Sequence, residues 1–119
     1  MPILHAFLIL FMVGSLAGCS LEPSHDQAVS PLPEYPGWYR EVESCSGKAG
    51  DYTRLRFWAL PDNDEHAGRT FGQDIFLRGS WAGNRRVVEH EMLHSLIGDG
   101  GHLSVRWWWC GLHPKQING

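Results

Sequence analysis

At 119 residues, with 13 Asp and Glu against 10 Lys and Arg, the chain is one domain at most and close to neutral. Its cations are scattered, with only Arg85 and Arg86 adjacent, so it offers no basic stripe for nucleic acid. Six tryptophans in so short a chain point to a core or groove built from a few large side chains.

Ile3 to Leu16 is an apolar run, too short to span a bilayer comfortably but matched to the hydrophobic region of a signal peptide. It ends in Leu16-Ala17-Gly18-Cys19, which resembles the bacterial lipobox. That resemblance implies removal of residues 1–18 and attachment of lipid to the Cys19 thiol. The mature protein is then a lipoprotein of the cell envelope, on its periplasmic or extracellular face, held to the membrane by an N-terminal anchor. Residues 19–36 follow, rich in Pro, Ser, Glu and Gln and poor in large apolar groups. They read as a flexible tether, and the stretch from Leu21 to Pro36 reaches roughly 50 Å as polyproline II.

The folded domain is expected over residues 37–119. Trp38, Val42 and Cys45 fall at i, i+4, i+7, which fits a short helix ended by Gly47, with a strand as the alternative since Tyr39 and Val42 tolerate either. Tyr52 to Leu60 predicts a strand, with Leu55, Phe57 and Ala59 on one face and Arg54 and Arg56 on the other. Pro61 to Arg69 is polar and reads as a surface loop. Gln73 to Arg78 predicts a second strand, and Gly79 to Asn84 turns the chain into a second helix. With Cys19 given to lipid, Cys45 and Cys110 remain, and an even pair in an oxidising compartment is most simply one disulfide. Pro114 to Gly119 reads as a frayed end.

The second helix carries His90-Glu91-Met92-Leu93-His94. Residues four apart on a helix lie one above the other, so His90 and His94 can offer two imidazole nitrogens to one metal ion. Glu91 sits one position round, where a carboxylate can take a proton from metal-bound water. Val88, Met92 and Leu96, with Leu93 beside them, form a separate stripe for the core. Asn84 is placed to cap the helix and Gly98 to stop it.

At these residues the chain resembles the zincin metallopeptidases. The resemblance implies zinc held by His90 and His94, Glu91 as general base, and an α+β fold with a small sheet packed on the motif helix. It also implies that the strand beside that helix accepts substrate as an extra strand. The metzincin subgroup's later glycine and histidine arrive one and two residues late here, and no methionine follows the site.

A hydrolytic zinc needs three protein ligands and an open position. His102, beyond the turn Gly98-Asp99-Gly100-Gly101, is the expected third. Asp99 is the rival, nearer in the chain and of a type that one zincin subgroup uses, with His113 and Glu89 behind. The donor that steadies the developing oxyanion is left open between His113, Arg106 and a backbone amide. The reading is a lipid-anchored zinc metallopeptidase acting on a peptide or protein substrate. The alternative is a non-catalytic lipoprotein module, stabilised by metal and disulfide, that binds a partner through its tryptophans.

Overall fold

The computed structural model describes residues 28–117. The apolar run, Cys19 and the first part of the expected tether lie outside the described residues. Order starts ahead of the expected boundary. Helix α1 (Tyr35–Ser46) begins two residues before Gly37, with Pro36 in its first turn. There the missing N–H costs nothing and the ring presets φ. Tyr35 is 2 % exposed, and its hydroxyl donates to the Ala82 carbonyl at 2.5 Å, so it belongs to the core. Gly47, at φ 72°, closes the helix by donating its N–H to the Glu43 carbonyl.

A three-stranded sheet follows: β1 (Arg56–Leu60), β2 (Gly68–Phe71) and β3 (Asp74–Arg78). The expected first strand is shortened at its start. The Asp51 carboxylate accepts the Thr53 N–H at 3.0 Å and caps a 3-10 turn over Tyr52–Arg54, so pairing begins only at Arg56. Leu55 and Phe57 are buried as expected, and Ala59 is half-buried. Ala28 bridges Trp58 on the outer side of β1, and the Val29 N–H donates to the Phe57 carbonyl at 3.0 Å.

β2 overlaps the stretch read as a loop and is the main correction to the expected topology. The strand order is β1-β3-β2, with β1 parallel and β2 antiparallel to β3. Gly72, at φ 58°, opens the two-residue turn between β2 and β3, a position where positive φ favours glycine. The strand expected to lie open for substrate, β3, is therefore central, with both edges paired. The free edge belongs to β2, which pairs with no other strand among the described residues.

Helix α2 (Arg85–Ile97) carries the motif. Asn84 Oδ1 accepts the Val87 N–H at 3.1 Å, and Gly98, at φ 74°, donates its N–H to the His94 carbonyl. Val88, Met92 and Leu93 are fully buried, with Leu96 packed beside them. They meet Tyr39 and Val42 of α1 and Phe57, Ile75 and Leu77 of the sheet in one core.

Two short helices close the domain, α3 (Arg106–Trp109) and α4 (Pro114–Ile117). α4 replaces the expected fraying: Gln116 Oε1 accepts the His113 N–H at 3.1 Å, and Ile117 packs on the core. A disulfide joins Cys45 of α1 to Cys110 at the end of α3, 65 residues apart. By loop entropy such a closure stabilises the fold by about 4 kcal/mol. No helix among the described residues is long and apolar enough to cross a membrane.

Candidate metal centre

The turn after α2 brings His102 back against His90 and His94. One ring nitrogen from each lies within 4.8 Å of the other two. The hydrogen bonds behind the rings decide which nitrogens these are. His90 Nδ1 lies 2.8 Å from the Leu112 carbonyl, and His94 Nδ1 lies 2.8 Å from the Asp99 carbonyl. A carbonyl only accepts, so each Nδ1 carries the proton and each Nε2 keeps a lone pair. His102 Nε2 stands 3.1 Å from His90 Nε2. Burial pushes the His90 imidazolium down to about 4, the neighbouring histidines push the same way, and the Leu112 carbonyl opposes them. Burial lowers His102 as well, helped by His94 and His113 and opposed by Asp99. Neutral imidazoles with converging lone pairs are what a transition metal binds.

Beneath the cluster lies Trp107. It is fully buried, and its ring centroid is 4.6, 4.5 and 4.7 Å from those of His90, His94 and His102. Its indole N–H finds no partner among the described residues. Of the three consecutive tryptophans it alone turns inward; Trp108 and Trp109 are exposed.

Glu91 is 6 % exposed, and its Oε2 accepts the Thr70 hydroxyl at 2.6 Å. Burial raises its pKa, while the Thr70 bond and the nearby His94 and His66 hold the rise back. Glu91 and His90 line one wall of a cleft of about 370 Å³, with Glu65 to Gly68 opposite and Val87, Pro114 and Ile117 around it. The cleft places an acid and the cluster's edge against the start of β2.

The other candidates go elsewhere. Asp99 turns its carboxylate into its own loop, where Oδ1 accepts the Gly101 N–H at 2.9 Å, so His102 and not Asp99 completes the cluster. Glu89 is buried outside the cluster, its Oε1 taking the Arg85 Nε–H at 2.9 Å. Arg106 is committed too, donating to the Ser46 carbonyl at 2.8 Å and lying over Trp109. His113 stacks on Trp108 with ring centroids 4.1 Å apart, and its ring centroid lies 6.2 Å from that of His102. Sequence reasoning missed Thr70, Gly68, Trp107 and the Leu112 carbonyl. None left a signal of its own, since residues 68 and 70 share a face only once 68–71 is known to be a strand.

Comparison with protein-family models, with characterised proteins and with solved structures gives no match. What can be said of the centre rests on its own geometry.

Proposed function

We propose that the domain is a zinc-dependent hydrolase of peptide bonds that works at the cell envelope from a lipid anchor on Cys19. The observation that carries the hydrolase reading is a three-imidazole cluster with a buried carboxylate next to one of its members on the same helix, His90 and Glu91 both lining one cleft. His90, His94 and His102 fit zinc in donor type and in number. Three neutral nitrogens leave one tetrahedral position open, where a purely structural site tends to fill all four with protein. When bound, zinc supplies a Lewis acid that polarises a carbonyl and makes water a better nucleophile.

The chain's own residues supply the rest. Glu91 Oε2 is held by Thr70, so the carboxylate is oriented before substrate arrives. Its raised affinity for a proton suits it to take one from the attacking water and pass it to the leaving amine. Val87, Pro114 and Ile117 add apolar wall to the cleft beside these groups. The anchor rests on the Leu16-Ala17-Gly18-Cys19 junction alone.

Glu91→Gln preserves shape and removes the base. It is expected to keep zinc, measured by elemental analysis, and to lose about 10²–10⁴-fold in peptide hydrolysis. His90→Ala is expected to lose both together. Full activity in Glu91→Gln would remove Glu91 as the base, and a zinc-loaded wild type that cleaves no peptide would replace the hydrolase with the non-catalytic module, whose binding face would be the exposed Leu103, Trp108 and Trp109. Labelling with a palmitate analogue, retained in Cys19→Ala, would remove the anchor from the proposal.

A further inference from the structure

Strand β2 meets α2 at one side chain. Two alternate residues of β2, Gly68 and Thr70, both face Glu91, and each does something different for it. Thr70 Oγ1 lies 2.6 Å from Glu91 Oε2 and 3.1 Å from the Glu91 carbonyl, so one hydroxyl spans both the side chain and the backbone of the same residue. Gly68 contributes space. A Cβ at that position would stand 2.8 Å from Glu91 Cγ and 3.1 Å from both Cδ and Oε1. The first distance is closer than carbon atoms pack, and the contact falls near the root of the side chain, where little rotation is free to relieve it.

We propose that Thr70 and Gly68 form a cradle on β2 that sets the rotamer of Glu91, with Thr70 as a positioning residue for the general base. The inference rests on the hydrolase reading above. An ionised carboxylate has two acceptor oxygens and no donor. Thr70 occupies Oε2, and Oε1 takes no hydrogen bond from the described residues, which leaves it to the cleft that Glu91 lines. Without the hydroxyl neither oxygen of the buried carboxylate has a donor among the described residues, and it turns to find another donor or water. The pattern also gives β2 a purpose that its sequence hides. A short polar edge strand, glycine at one position and threonine two residues on, is shaped to the side chain it faces.

The test compares Thr70→Val, which keeps the branched shape and drops the hydroxyl, with Thr70→Ser, which keeps the hydroxyl. Zinc content, kcat and KM on a peptide that wild type cleaves, and the thermal midpoint are read for each. Thr70→Val is expected to retain zinc and KM and to lose about 100-fold in kcat, the scale of a misplaced reacting group. Thr70→Ser is expected to recover most of the loss. Gly68→Ala is expected to lower kcat with zinc retained. The thermal midpoint gives a reading free of activity: Thr70→Val should cost more in the wild-type chain than in a Glu91→Leu background, where no carboxylate is left unpaired. Equal costs in the two backgrounds, or a wild-type kcat in Thr70→Val while Glu91→Gln is inactive, overturn the cradle and leave the hydrolase reading standing. Activity in Glu91→Gln overturns Glu91 as general base and the cradle's role with it; a zinc-loaded wild type that cleaves no peptide overturns the hydrolase reading itself, and the paired midpoints still judge the contact.

Discussion

Trp107 has the same chemistry as the two residues after it, and only its place beneath three imidazoles sets it apart. It fills the space that fixes where the rings stand. Trp107→Ala removes that floor, with a core cost of about 3–5 kcal/mol. Zinc affinity, measured by competition with a chelator, is expected to fall with it. Trp107→Phe, which keeps an aromatic ring, should fall less. Tyr35 gives a second readout at this scale. Burial pushes its hydroxyl up to about 12, from 10.0, with Tyr52 and Glu34 adding to the rise. A group with a raised folded pKa contributes stability that is full below its unfolded value and lost as pH climbs through the folded one. Thermal midpoints should therefore drop between about pH 10 and 12, and Tyr35→Phe should flatten that part of the profile.

Element by element, α2 is the best-defined piece because its signals are local. Asn84 and Gly98 sit at its ends, and replacing either with Ala should cost about 1 kcal/mol in urea unfolding, the first by losing the cap and the second by straining φ 74°. The same locality made α2 legible in the sequence: its caps, its buried stripe and its ligand spacing are all read within one helix. β2 was not legible. Its residues Gly-Arg-Thr-Phe show no apolar alternation, and it exists as a strand because β3 pairs it and Glu91 engages it. Likewise Tyr35 looked like tether until Ala82 and the core claimed it. The inward turn of Trp107 could not be read from three identical neighbours, since only tertiary packing chooses among them. His102 was preferred over Asp99 on donor type, and the turn geometry that separates them is a property of the folded loop.

Across the whole molecule, the Cys45–Cys110 bond fastens α1 to the segment that carries both Trp107 and the Leu112 carbonyl. The centre's floor and the fixed tautomer of His90 thus depend on a covalent tie made elsewhere. A Cys45→Ala/Cys110→Ala double variant is expected to lose about 4 kcal/mol of stability and to bind zinc more weakly while all three histidines remain. Zinc bound as tightly as in wild type would show that packing alone holds the segment.

Imidazole binds a metal ion only as the neutral base, and that has a consequence for which ions the centre admits. A dication held by neutral nitrogens keeps its full double charge, with no thiolate or carboxylate of the cluster to offset it. Hard ions that demand oxygen, such as magnesium and calcium, gain little from such a shell. Cobalt, nickel, copper and zinc gain in that rising order up to copper, so any preference for zinc over copper falls to supply and geometry rather than affinity. Isothermal titration of the metal-free protein with each ion should rank them in this way, with magnesium and calcium giving no heat.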